Sequence, residues 1–559
     1  MSKFSRLRTI IPWLWKASKE YRLQATLNTL LGILLVVADL LFVWSTKLVI
    51  DAATLPSATV SLTNSFIILA IVMLSQIGLG IAIRWMRATL GVQATNKMHR
   101  IFFSQLLSTN WLSLKNFHTG DITNRLQRDA VEITQFITEG LPNFITTIVK
   151  FSGAFFLLYY MDKQLALVVL IILPLFILIS RLYIKRLRKL THEVRTTESA
   201  IQSYLQESLQ HVLVIKTLLN LQQAIDKLSL HQQQLEKQVV NKTIYTTLTT
   251  TLLNLGFATG YFITFCWGTI SLYQGIITYG SLLAFIQLVA QIQGPIRSLT
   301  GFIPLFINVA TSTERLMELQ NLPKERGEKL PLKTPIGIRI KNLSFAYNEQ
   351  AKELFSNLNL DIKPESRVAI IGETGSGKTT FVRLLLALLK EKDGSIQLYN
   401  QDGVYPLNET TRINFAYLPQ GNTLLSGSVR DNLLMANPNA TDEELTQVLK
   451  AACADFVLQH PSGLDAYCSE QGGGFSEGQA QRICIARTLL RKAPIIIFDE
   501  ATSALDAETE QKVIQNISHQ NELQTIIFIT HRPAILELCD EVINMETMIQ
   551  QNKAYTTHP

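Results

Sequence analysis

Between Lys242 and Arg297 run 54 consecutive residues without one Asp, Glu, Lys or Arg. Helices on the surface of a water-soluble domain carry a polar face, so this stretch belongs in an apolar solvent. At about 20 residues per crossing of the hydrocarbon core, it is long enough for two transmembrane helices. Tyr273-Gln274-Gly275 and Gly280 supply the turn between them. Four further apolar segments are expected to be spans. Phe66–Ile83 is an uncharged run of 18 residues, and Leu141–Met161 and Leu165–Ser180 abut across Asp162-Lys163-Gln164. Leu23–Ile50 is the first span although it carries Asp39 and Lys47; Lys47 and Asp51 are expected near its outer end, where a lysine reaches the headgroups. Six spans are expected in all. Only 17% of residues are charged and the mean hydropathy is +0.19, which excludes a disordered chain.

Lysine and arginine set the orientation. Residues 1–22 carry six, 84–140 seven and 181–242 ten, against Lys163 alone in the three opposite connections. This asymmetry predicts a multi-pass protein of the cell inner (plasma) membrane, with both termini and both long connections in the cytoplasm. It also accounts for the net charge of +7, so no nucleic-acid partner is expected. Ile10–Trp15 is too short for a signal peptide core and reads as part of an interfacial helix, with Trp13 and Trp15 among the headgroups. Each long connection has enough helix formers to reach about 40 Å beyond the bilayer and back. The five cysteines have no CxxC spacing and read as reduced thiols.

Near Asn321 the chain changes character. Residues 1–320 read as the membrane domain, 321–335 as a polar linker with three prolines, and 336–559 as an α/β domain. Arg367–Ile371, Ile495–Phe498 and Thr525–Thr530 have the composition of buried strands. Gly372-Glu373-Thr374-Gly375-Ser376-Gly377-Lys378-Thr379 is a complete P-loop, entered from a strand and leaving through Thr380 into an apolar helix. Its glycines turn backbone N–H groups toward one anion, Lys378 would reach the β- and γ-phosphates, and the Thr379 hydroxyl would hold Mg²⁺. Asp499, at the end of an apolar strand, is a further candidate Mg²⁺ ligand, and Glu500 is placed to deprotonate the attacking water. His531 follows the strand Thr525–Thr530 and could reach the γ-phosphate; Gln420 could touch both Mg²⁺ and a moving loop.

Phe475-Ser476-Glu477-Gly478-Gln479 resembles the signature of ATP-binding cassette (ABC) proteins, usually Leu-Ser-Gly-Gly-Gln. Gln479-Ala480-Gln481-Arg482 opens the helix that follows. The resemblance extends to Tyr347 as the adenine-stacking aromatic, Gln420 as the Q-loop, Ser503-Ala504-Leu505-Asp506 as the D-loop, and His531 as the switch histidine. Phe117–Leu126 resembles the first cytoplasmic connection of exporters in this family. Together these imply a half-transporter of six spans and one cassette. They imply a homodimer, with a heterodimer as the alternative, in which ATP lies between one P-loop and the partner's Ser476, Glu477, Gly478 and Gln479. Coupling helices are expected near Ser113–Asp121 and Gln210–Leu219. Glu477 replaces a glycine of the signature. It is expected to point back along its helix N-terminus, where the dipole favours it, rather than toward phosphate.

The function expected is ATP-driven export of a hydrophobic or amphipathic substrate (drug, lipid or peptide), with an importer, an ATP-gated channel or a regulatory ABC protein as alternatives. Thr246–Thr251, Asn254, Gln287, Gln291 and Gln293 are expected to line a cavity of amides and hydroxyls with apolar walls.

Overall fold

The computed structural model describes residues 3–55, 60–115, 117–218, 220–347, 353–469, 473–520 and 523–548. The chain forms two compact units. One comprises the first 103 residues and Thr119–Gln320; the other comprises Ser104–His118 and the chain from Asn321 onward.

The first unit is helical. Helix α1 (Lys3–Ala17) precedes α2 (Arg22–Thr54) and α3 (Leu62–Leu107), whose last residues, like the short α4 (Trp111–Lys115), belong to the second unit. Next come α5 (Thr119–Asn124), α6 (Ala130–Gln135) and α7 (Leu141–Met161), joined by π-helical turns at Arg125–Asp129 and Phe136–Gly140. Then follow α8 (Lys163–Gln210), α9 (Val212–Thr217), α10 (Leu221–Tyr273) and α11 (Tyr279–Gln320). Among the described residues, Arg22–Thr54, Leu62–Leu107, the run Thr119–Met161 and Leu221–Tyr273 are long and apolar enough to cross a membrane. In α8 the side chains of residues 172–185, which include most of the expected span Leu165–Ser180, lie outside the described residues. Helix α11 runs unbroken through Pro295 and Pro304.

Small residues let α2 and α7 approach closely, as apolar solvent favours. A Cβ on Gly32 would stand 2.6 Å from Thr146, and one on Gly153 would stand 2.6 Å from Leu40. Asp162 serves two elements at once: one oxygen accepts the Leu165 N–H at 2.9 Å to cap α8, and the other accepts the Trp267 indole N–H at 3.0 Å. Lys47 does not stand free at a helix end. It pairs with Asp51 at 2.7 Å, and Asp51 in turn accepts the Gly280 N–H at 3.1 Å where α11 begins. Beyond the spans, Arg125 donates to Asp121 (2.9 Å) and Glu318 (2.6 Å), and Arg315 donates to Asp121 (2.7 Å), tying α5 to α11.

The second unit contains two main sheets. In chain order its strands are β1 (Gly337–Phe345), β2 (Phe355–Ile362), β3 (Arg367–Ile371), β4 (Asp393–Asn400), β5 (Gly403–Pro406), β6 (Phe415–Leu418), β7 (Gly427–Ser428), β8 (Tyr467–Cys468), β9 (Ile495–Asp499), β10 (Thr525–Ile529) and β11 (Glu541–Asn544). An antiparallel sheet has the order β2-β1-β4-β5, and a parallel sheet the order β11-β3-β10-β9-β6. The parallel strands are buried on both faces, which explains why β9 and β10 read as uninterrupted apolar runs. The helices are α12 (Lys378–Leu385), α13 (Val429–Leu434), α14 (Asp442–Ala451), α15 (Asp455–Gln459), α16 (Glu477–Leu490), α17 (Ala507–Gln520) and α18 (Pro533–Leu536). Trp111 and Leu112 of α4 pack on the core beneath the sheets, and the Arg383 guanidinium lies 5.0 Å from the Trp111 ring. The Ser108 carbonyl accepts from Glu325 at 2.8 Å, and the Glu325 carboxylate takes Arg412 at 2.8 and 3.1 Å.

Candidate nucleotide site

Four adjacent parallel strands release their chemistry at one edge of the sheet. The carboxyl end of β3 leads into Gly372–Gly377, that of β9 ends in Asp499-Glu500, that of β10 leads to Thr530-His531, and that of β6 to Pro419-Gln420. The ends of parallel strands are where open α/β sheets bind ligands.

The loop needs its glycines. Gly375 and Gly377 have φ of +93° and +95°, and a Cβ on Gly377 would press on the Phe355 ring at 3.0 Å. Lys378 opens α12, where the helix dipole favours an anion. Its ammonium folds over the loop, donating to the carbonyls of Gly372 and Glu373, and lies 3.2 Å from His531 Nε2. Thr379 is exposed at the mouth, whereas Thr380 is buried with its hydroxyl 2.9 Å from that of Tyr347. That bond fastens the Tyr347 side chain to the first turn of α12, and the residue remains 43% exposed.

Asp499 is buried, and burial pushes its carboxyl above the ordinary range, with the neighbouring Glu500 charge adding to the rise. The Tyr417 hydroxyl, donating at 3.1 Å, and the Lys378 charge pull the other way. Glu500 has a left-handed backbone (φ +47°), held by its N–H donating to Ile529 at 2.9 Å. Its carboxylate accepts from Gln420 at 2.5 Å. Carboxylate, hydroxyl and amide oxygens are the donors a hard divalent cation takes, and Asp499, Thr379 and Gln420 could supply them.

Ser476 caps α16, accepting from Gln479 N at 3.3 Å, while the Gln479 side chain accepts from Ser476 N at 3.0 Å. Glu477 is the first residue of that helix and is exposed. Gly478 has no such freedom: a Cβ there would stand 2.7 Å from the Ala504 carbonyl. Phe475 packs on the apolar cluster that includes Ile483 and Leu505, with its ring 5.9 Å from Phe456. Asp506 accepts the Thr509 N–H at 2.9 Å, which holds its carboxyl below the usual range.

Three contributors went unrecognised in the sequence. Gln481 donates to the Glu500 carbonyl (3.2 Å) and accepts from Ala504 N (3.1 Å), joining α16 to both acidic and D-loop segments. Arg532 donates to the Ser503 carbonyl at 2.8 Å and pairs with Glu510 at 2.8 Å. Tyr417 is the third, and its position three residues before Gln420 was the only available signal.

Residues 26–296 match the family described as ABC transporter transmembrane region, and residues 355–503 match that described as ABC transporter. The chain belongs to the ABC transporters. This ABC transporter is a multi-pass membrane protein whose ATP-binding domain is an ATPase coupled to transport. It is 26% identical over 471 residues to a putative export ATP-binding/permease protein of Rickettsia felis, covering 81% of this chain and 79% of that protein. It is 31% identical over 458 residues to a leukotoxin translocation ATP-binding protein of Mannheimia glucosida, covering 81% of this chain and 64% of that longer protein. Its fold is similar to that of a bacterial Atm1-family ABC exporter solved with ATP bound: TM-score 0.77 at 20% identity, covering 97% of this chain and all of that one.

Proposed function

We propose that this ABC transporter is an ATP-driven exporter acting as a homodimer in the inner membrane, with its ATP-binding domain in the cytoplasm. The observation that carries the ATPase part is the meeting of Gly372–Lys378, Asp499-Glu500, Gln420 and His531 at the ends of four neighbouring strands. The fused order of the two domains and the export names of its relatives support the direction.

In the reaction, Lys378 leaves its carbonyl partners for the β- and γ-phosphates. Glu500 takes a proton from water as the oxygen attacks the γ-phosphorus, the bond to the β-phosphate oxygen breaks, and ADP and phosphate leave. Gln420 holds Glu500 before ATP arrives, and its release frees the base. His531, beside Lys378, contacts the γ-phosphate. Mg²⁺, held by Thr379, Gln420 and Asp499, would neutralise charge on the phosphates. Tyr347 stacks on adenine, and Ser476, Gly478 and Gln479 complete the partner's site.

ATP-dependent accumulation of substrate in inside-out vesicles, lost in Lys378→Ala, is the decisive test; uptake that runs in the opposite sense would make the chain an importer. A cysteine at Lys329 should react with an impermeant maleimide only from the cytoplasmic face, and one at Gln274 only from the other face. Mixing inactive Ser476→Arg and Lys378→Ala chains should restore partial ATPase, because both lesions fall in one shared site. Ion current without dependence on hydrolysis would favour a channel.

A further inference from the structure

Within the first unit, α2, α3, α7 and α11 line an open hollow of about 520 Å³, a size ordinary for small-ligand sites. Its wall carries Asp39, Lys150, Arg87 and Gln291, with Leu35 and Ile83 among the apolar residues. Asp39 and Lys150 lie within expected spans, where ionisable groups are functional candidates by default, and Arg87 stands four residues beyond the expected span Phe66–Ile83. The bland alternative is that Asp39 and Lys150 merely join α2 to α7, and they do pair at 2.6 Å, with Gln76 donating to Asp39 at 3.0 Å. That bond satisfies those two groups, but it leaves others on the same wall without partners. Arg87 Nε, a donor, and Gln291 Oε1, an acceptor, are both buried and unpartnered. The Gln291 amide nitrogen donates toward the Asp39 carbonyl at 3.4 Å. With Asp39 and Lys150 neutralising each other, Arg87 is the unbalanced charge of the lining. Glu139, whose charge acts on Arg87, is exposed and lies off the lining.

We infer that this hollow binds the oxyanion head (carboxylate or phosphate) of an amphipathic ligand, with Arg87 as the anion contact and the apolar wall taking its tail. The inference deepens the exporter reading by naming the class of its substrate. A guanidinium offers parallel N–H donors to either oxyanion, and a partly desolvated charge-assisted hydrogen bond is the strong kind. The threonines of α10, by contrast, contribute little polarity. Thr246, Thr249 and Thr250 donate to the carbonyls of Lys242, Tyr245 and Thr246 in their own helix, and Thr243, Thr247 and Thr251 lie on a separate, largely apolar hollow.

The test uses the full chain in liposomes with octyl phosphate, octanoate, octanol and octylamine. Octyl phosphate or octanoate, or both, should raise the ATPase rate, and the two arms separate phosphate from carboxylate. Octanol and octylamine should not. In Arg87→Gln the half-maximal concentration should rise by about 10-fold or more, as for loss of a charge-assisted hydrogen bond. An independent binding readout is a cysteine at Thr147, on the same wall: octyl phosphate or octanoate should slow its reaction with maleimide, and not when Arg87 is Gln. Stimulation and protection by octylamine or octanol alone, equal responses in Arg87→Gln, or no protection by either oxyanion would overturn the inference and leave the exporter reading standing. Absence of any ATPase, with protection intact, would strike the exporter reading instead.

Discussion

The two units place polar and apolar groups in opposite ways. On α3, Ile67, Ile71, Leu74, Ile77 and Ile81 are each more than half exposed, while Asp39 and Lys150 turn toward one another between helices. In the second unit, Ile495, Ile497 and Ile527 are fully buried, and ion pairs such as Arg430–Asp442 lie at the surface. Solvent explains the contrast. Lipid gives exposed isoleucine no penalty and gives an unpaired charge a large one; water reverses both. A lone charge is therefore informative in the first unit and bland in the second, where position at a strand end carries the information instead.

The contrast breaks most visibly at Glu500. Glu500→Gln should keep ATP binding and lower turnover at least ~10²-fold, the scale of a lost general base; a near-normal rate in phosphate release would remove Glu500 from that role. Next comes Gly478→Ala. Its new methyl would meet the Ala504 carbonyl, and overpacking of about 1–3 kcal/mol should reduce ATPase roughly tenfold.

In the first unit the sharper comparison is between single and paired changes. Lys150→Gln leaves Asp39 without its cation, so the melting temperature in detergent should fall by several degrees, roughly 2–4 °C for each kcal/mol. Adding Asp39→Asn should recover much of that loss, and a double variant no better than the single would show that the pair is not coupled. The smallest effect is expected for Glu477→Gly, below threefold on turnover, because an exposed first-turn carboxylate contributes at most ~1 kcal/mol through the helix dipole. A larger change would place Glu477 against the partner's phosphates after all.

Lysine and arginine counts, the uncharged run before Arg297 and the P-loop were legible because each is a local property of the chain. The turn after Tyr273 was legible for the same reason, and the helix read as opening at Gln479 begins two residues earlier, at Glu477. Lys150 was not. It lies in an apolar span, and nothing in the linear pattern says that Asp39, 111 residues away, waits on the next helix. Tyr417 and Asp499 are 82 residues apart, and Gln481 meets Glu500 and Ala504 only because the fold brings α16 against the segment that follows β9.

The sequence by itself determined the solvent of each half, the family and the order of chemistry along the chain, since these depend on composition and on contiguous motifs. Tertiary structure alone decided which buried polar atoms find hydrogen-bond partners and which, like Arg87 Nε and Gln291 Oε1, do not. Hydrogen bonding is a matter of a few tenths of an ångström between residues far apart in sequence, and only packing fixes distances of that kind.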